Sequence, residues 1–196
     1  MADKIKSEVE KARRESRTGG KIAYNSIRWF QNTVKNVIKS PEKAMEEWKY
    51  KKGSRIKVGQ MVFYQYDAKF KDTLIYWDAY PLAFPISQTS THFTCLNLHY
   101  IPPEYRAFLL DKIYDIWNNG KIPDSKKERL NAEVLNAMRN MAEFKPCVHK
   151  YLKSHVKSLF LPVPVEFWDK ACMLETAQFQ KASRETVYSD SIKKMS

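Results

Sequence analysis

Glycine is scarce in this 196-residue chain, with five in all. A phosphate-cradling loop needs several close together, and neither GxxxxGK[ST] nor GxGxxG occurs. GxSxG and HExxH are missing too, which removes the common signatures of serine hydrolases and zinc peptidases. The three cysteines, Cys95, Cys147 and Cys172, are odd in number and widely spaced. They make no disulfide framework, so a reducing compartment is expected. No apolar run approaches the ~20 residues of a spanning helix. The opening stretch lacks the apolar centre of a secretory signal, and Asp3, Glu8, Glu10 and Glu15 argue against a transit peptide. The expectation is a protein with no cofactor, no bound metal and no membrane contact.

What the chain has in excess is positive charge, +12 overall. Residues 1–57 hold 16 Lys/Arg against 7 Asp/Glu, whereas 58–196 hold 18 against 15. The basic excess is therefore concentrated in the N-terminal segment. Such a block attracts polyanions and gains affinity by releasing their counterions. The plainer alternative is a solvated lysine-rich surface.

Three segments follow from periodicity: 1–57 basic and helical, 58–102 a small β-sheet or barrel, and 103–196 helical. In the first, 3–17 has too few apolar positions to bury a face, and Gly19-Gly20 makes a hinge. Ala23, Ile27, Phe30, Val34, Val37 and Ile38 then mark an amphipathic helix over 21–39, and Ser40-Pro41 opens a short helix over 41–52. In the second, Met61, Phe63 and Gln65 alternate with Val62, Tyr64 and Tyr66, a strand with apolar groups on both faces. Residues 67–72 form a hairpin-type connector, and 74–77, 82–86 and 92–101 further strands, with Pro81 and Pro85 suggesting edges or bends. In the third, Tyr105, Phe108, Leu109, Ile113, Ile116 and Trp117 mark a helix from Glu104 to a cap at Asn118–Gly120. Ser125 and Glu128 form a capping box for the next helix. Helices are also expected at 146–160, 166–173 and 176–183, separated by an extended break at 161–164, with a loosely held tail from Arg184. The fold class is α+β: N-terminal basic helices, a small bent antiparallel sheet or SH3-like barrel, and a helical C-terminal half.

Three chemical readings compete. Cys147, His149 and His155 invite zinc, but no second pair completes four ligands. His92 and His99, seven apart, fall on opposite faces of a regular strand. A metal nuclease needs two carboxylates and a lysine near the phosphate. Asp67-Ala-Lys69 and Glu47-Trp-Lys49 supply fragments of that set and no partner acid on a neighbouring strand. Tyr64, Tyr66, Phe70, Tyr76, Trp77 and Tyr80 cluster beside Lys69 and Lys71. Aromatics interleaved with lysines suit base stacking plus phosphate contact. The alternative is that most of them form the barrel's core.

The runs Gly59-Gln-Met-Val-Phe-Tyr-Gln-Tyr-Asp67, Lys71-Asp-Thr-Leu-Ile-Tyr-Trp-Asp-Ala-Tyr-Pro-Leu82 and Leu96-Asn-Leu-His-Tyr-Ile101 resemble structural proteins of contractile-tailed, myovirus-type bacteriophages. The pattern is associated with DNA end protectors, virion proteins bound to the ends of the packaged genome. The resemblance covers residues 57–115. It departs at Ile75, where the pattern has Pro, and at Thr94-Cys95, where it has Gly. It implies no catalytic residues.

The combined expectation is a non-enzymatic, virion-associated DNA-binding protein that caps or protects phage genome ends, present in host cytoplasm during assembly. Lys11, Arg13, Arg14, Arg17, Lys21 and Arg28 would contact phosphate. Lys49, Lys51, Lys52, Arg55 and Lys57 would form a second basic site, with Lys69, Lys71 and Trp77 on the sheet. The alternative is a head-completion, neck or baseplate component docking on capsid, portal or neck proteins, and a less favoured one is a metal-dependent nuclease.

Overall fold

The alternation over 61–66 puts apolar side chains on both faces of one strand, and both faces find a core. The computed structural model describes residues 55–165, 168–173, 177 and 179–195. The helices expected at 21–39 and 41–52, and the arm before them, lie outside the described residues. Seven strands are described: β1 (Val62–Phe63), β2 (Trp77–Asp78), β3 (Leu82–Gln88), β4 (His92–Asn97), β5 (Val148–Leu152), β6 (Leu161–Pro162) and β7 (Phe179–Gln180). Four helices accompany them: α1 (Pro103–Trp117), α2 (Asp124–Met138), α3 (Trp168–Met173) and α4 (Arg184–Met195). Five strands make one antiparallel sheet in the order β5-β4-β3-β1-β6, while β2 and β7 pair separately.

The sheet is rolled. The segment from β5 to β6 pairs with β4 through residues 148–152, turns through a 3-10 corner at Lys153–His155, and then runs beside 61–67. There the Asp67 N–H donates to the His155 carbonyl at 3.0 Å, Lys157 N–H to Gln65 at 2.9 Å and Val163 N–H to Met61 at 2.8 Å. Inside the roll lie Val62, Tyr64, Tyr66, Phe93, Cys95 and Tyr151. Tyr64 packs edge-on against Phe93 and Tyr151, with centroids 5.6 and 5.5 Å away. Met61, Phe63, Leu82, Phe84 and Leu96 face outward into a second core shared with the helices. The Trp168 ring closes that core, edge-on to Phe84 at 5.0 Å with its Nε1–H on the Val163 carbonyl at 2.8 Å.

Several elements differ from the sequence expectation. Pro85 sits in the central strand β3 and not at an edge. β1 pairs with β3 only at Leu82 and Ala83, the ladder to β4 shifts register between Pro85 and Ser87, and the Pro85 carbonyl accepts the Gly59 N–H at 2.8 Å. No ladder bond is thereby asked of the missing N–H. The connector at 67–72 does not join β1 to a strand at 74–77: it is part of a longer excursion, 67–78, across which β1 pairs antiparallel with β3, while β2 pairs with β7. β4 stops at Asn97 and turns into a 3-10 segment, Leu98–Tyr100, so His92 and His99 do not share a strand. The expected helix at 146–160 is β5 and the corner after it: β4 offers an unpaired edge, and Val148 and Tyr151 suit a strand. The expected helix at 176–183 contains β7, so the C-terminal half is not wholly helical. The tail from Arg184 is not loose. It is α4, with Val187 and Ser191 buried and the Ser191 hydroxyl on the Tyr100 carbonyl at 2.6 Å. The capping box does not form, since α2 starts at Asp124 behind Pro123 without a side-chain cap.

Two groups of polar contacts help hold the helices in place. Arg106 is buried on α1 and donates to the Ile101 carbonyl at 2.8 Å, the Cys172 carbonyl at 2.9 Å and the Tyr188 hydroxyl, joining α1, α3 and α4. Gly59, at φ +85°, lies against α2 and accepts from Asn131 Nδ2. A Cβ there would stand 2.6 Å from the Glu128 carbonyl oxygen and 3.2 Å from the Ala132 nitrogen. Gly59→Ala should lower stability by at least about 2 kcal/mol, from positive-φ strain and the backbone clash together. Denaturant unfolding checks this, and an unchanged midpoint would show that α2 is not held against this turn.

Candidate nucleic-acid interface

Asp78 is the one buried carboxylate among the described residues. It stands on β2, and every donor it needs is supplied by the fold. Its Oδ2 accepts Asn97 Nδ2–H at 3.0 Å and His99 Nδ1 at 2.7 Å, and its Oδ1 accepts the Tyr80 N–H at 3.0 Å. A carboxylate only accepts, so His99 Nδ1 carries the proton. Asn97 Nδ2 also donates to the Tyr151 hydroxyl at 2.9 Å, and its Oδ1 takes the His99 N–H at 3.1 Å. The Asp78 N–H donates to the Tyr100 hydroxyl at 3.2 Å. The network binds β2 to the end of β4, to the 3-10 turn and to β5.

Beyond β2 the chain 67–76 forms an exposed loop. Lys71 pairs with Asp67 at 3.3 Å, and the Thr73 and Leu74 N–H groups close a turn on the Phe70 carbonyl. Lys181, just after β7, holds the loop from the other side. Its ammonium donates to the carbonyls of Lys71, Asp72 and Leu74 and lies 5.7 Å from the Trp77 ring centroid. Its backbone takes φ +67° to reach them. The loop tip leaves Phe70 60% and Ile75 82% exposed.

Loop, roll and α4 together enclose a cleft of about 550 Å³. Its walls are the rings of Tyr66, Tyr76, Trp77, Tyr100, His149 and Tyr151, and Lys69, Lys150 and Lys194 stand along it. The His149 ring lies over Tyr100 at 3.8 Å between centroids, with Nε2 on the Pro146 carbonyl at 2.9 Å. Burial, above all, pushes the His149 imidazole down to about 4. Burial likewise raises the phenols of Tyr66, Tyr76, Tyr100 and Tyr151, which stay neutral hydroxyls.

The structure distributes the sequence-derived residues unevenly. Lys69 and Trp77 line the cleft. Lys71 is paired with Asp67 outside it, Lys57 reaches Glu128 on α2 at 3.7 Å, and Arg55 is exposed away from it. Lys11, Arg13, Arg14, Arg17, Lys21, Arg28, Lys49, Lys51 and Lys52 lie outside the described residues, as does Glu47. Tyr64 is wholly inside the roll, and Tyr80 is stacked on Phe63 at 6.3 Å and away from the cleft. Cys147 Sγ donates to the Phe144 carbonyl and His155 Nδ1 lies 2.9 Å from the Asp67 carbonyl. Among the described residues no group of three or more His, Cys, Asp or Glu is placed to hold a metal. Lys150, Lys181 and Lys194 were missed because they fall on segments expected to be helix, helix and loose tail. The pairing of Tyr100 with His149 has no local sequence signal.

Two outcomes follow. Asp78→Ala strands two buried donors and a half-buried one and should cost about 3 kcal/mol or more. A loss under about 1 kcal/mol in denaturant unfolding would remove the network from its structural role. His149 folds with its proton affinity lowered from the ordinary 6.5. The unfolded chain therefore takes up the proton first, and stability falls as pH drops from about 6.5 toward about 4. The thermal midpoint of His149→Gln should fall less over that range than that of the unchanged chain; equal pH dependence would assign the effect elsewhere.

The family model described as "Phage T4 terminal DNA protecting protein" matches residues 2–194, nearly the whole chain. No curated protein and no solved structure matches. With a match of that extent, the chain belongs to the phage T4 terminal DNA protecting protein family.

Proposed function

We propose that this protein binds the ends of a linear phage genome and shields them from exonucleases, as a virion component that meets its DNA in the host cytoplasm during assembly. The family match over residues 2–194 carries the reading. Two physical features support it. The +9 excess in residues 1–57 supplies sequence-independent attraction to phosphate. The cleft adds aromatic faces beside lysines, the combination that holds unpaired nucleotides. Phosphate contacts alone position a protein anywhere on a duplex, so any preference for ends must come from a feature other than charge. The role asks for no catalysis: Asp67 is engaged by Lys71, and Mg²⁺ or Mn²⁺ should not elicit cleavage.

A second reading is favoured by the exposed apolar tip, Phe70 and Ile75. In it the protein completes the head or neck by docking on capsid, portal or neck proteins. Both roles are compatible with one virion position.

Linear DNA should resist a processive exonuclease in the presence of the protein, and an excess of circular competitor should not abolish protection in proportion to its length. If about six phosphates are neutralised, affinity should fall roughly a thousandfold between 50 and 200 mM salt. A flat salt response, or protection lost in simple proportion to competitor length, would favour the docking role.

A further inference from the structure

We infer that the cleft between the 67–76 loop, the open end of the rolled sheet and α4 receives a single unpaired base at the DNA terminus, and that it is the element by which the protein tells an end from an interior site; this rests on the DNA-end reading above. At about 550 Å³ it is the size of a small-molecule site, in the usual range of roughly 300–1,000 Å³. That is room for a nucleotide and not for a stacked duplex. Its lining is largely aromatic: half-buried Trp77 and Tyr76 stand on the loop side, Tyr76 packs on Tyr100 at 6.1 Å between centroids, and Tyr100 and Tyr151 form a buried floor. Lys69, Lys150 and Lys194 are all exposed, and they come from the loop, β5 and α4. Their convergence gives the rim a charge suited to backbone phosphate.

The one carboxylate in the lining, Asp78, is buried and engaged by Asn97, His99 and the Tyr80 N–H, so it offers the cleft no free acceptor, and the three rim lysines outnumber its single charge. A neutral His149 on Tyr100 keeps a charge out of the stacking surface. An interior base reaches such a recess only after unpairing and unstacking, whereas a terminal pair frays readily. Aromatic stacking of the usual strength converts to roughly a tenfold to hundredfold preference for ends.

The test uses the full chain and two DNAs of equal length: a duplex closed by a hairpin at one end and open at the other, and a dumbbell closed at both. 2-Aminopurine replaces the base at the open terminus, or one a helical turn inside. The unchanged chain should bind the open duplex about tenfold to a hundredfold more tightly than the dumbbell. Fluorescence should change at the terminal probe and not at the interior one. Trp77→Leu should bring the ratio of affinities close to unity while both DNAs still bind. Should that variant fail to fold, the surface variant Lys69→Gln/Lys150→Gln/Lys194→Gln replaces it and should lower the same ratio. A folded variant that keeps the full ratio overturns the cleft as end reader while leaving DNA-end binding intact. Equal affinity of the unchanged chain for both DNAs overturns the end preference itself, and with it the inference.

Discussion

A buried carboxylate has to be surrounded by donors, and Asp78 sets that requirement at the centre of this fold. Breaking such a network by removing one partner is far more costly than its net contribution to stability, because the remaining polar groups are stranded away from water. The side chains that satisfy it come from β4, the 3-10 turn after it and, through Asn97, from Tyr151 on β5. β2 is only two residues long and pairs with an equally short strand, so the network, with the Tyr66 N–H on the Ala79 carbonyl at 2.9 Å, holds it against the sheet. Everything around the cleft inherits that placement. Trp77 and Tyr76 precede Asp78 in the chain, the Tyr100 hydroxyl oxygen accepts the Asp78 N–H, and α4 is held by Ser191 on the Tyr100 carbonyl.

The second constraint is the roll. A sheet of five short strands buries little on one face, but rolled it encloses Tyr64, Tyr66, Phe93 and Tyr151 and still offers Phe63, Leu82, Phe84 and Leu96 to the helices. We propose a division of labour. In it, long-range attraction would come from the basic residues of 1–57, an effect that is independent of sequence and weakened by salt. Short-range discrimination would belong to the cleft, where Tyr100 packs on His149, Tyr151 on Phe93, and the Lys181 ammonium lies over Trp77.

How much was legible in the sequence depended on whether a residue's role was set locally. The α1 stripe from Tyr105 to Trp117 and the two-sided pattern at 61–66 were readable, since a period of 3.6 or 2 follows directly from which face is buried. Residues 146–160 misled because Val148, Tyr151, Leu152 and Val156 also fit a helical spacing. The decision lay with the unpaired edge of β4, which is remote in sequence. Pro85 misled for a similar reason: its harmlessness in a central strand depends on β1 ending its pairing at Ala83. The site was half legible. The aromatic and lysine cluster at 69–77 drew attention to one wall, whereas Lys150, Lys194 and the Tyr100–His149 stack are brought in by tertiary contacts that no window of sequence contains.

The most direct measurement is photo-crosslinking from 5-iododeoxyuridine placed either at the terminal nucleotide of a linear duplex or one helical turn inside, with the attached peptide identified by mass spectrometry. The account predicts that the terminal probe joins the peptides bearing Tyr76, Trp77, Tyr100 or Tyr151, and that the interior probe does not. Terminal and interior probes crosslinking equally, or the terminal probe reaching only residues 1–57, would contradict it.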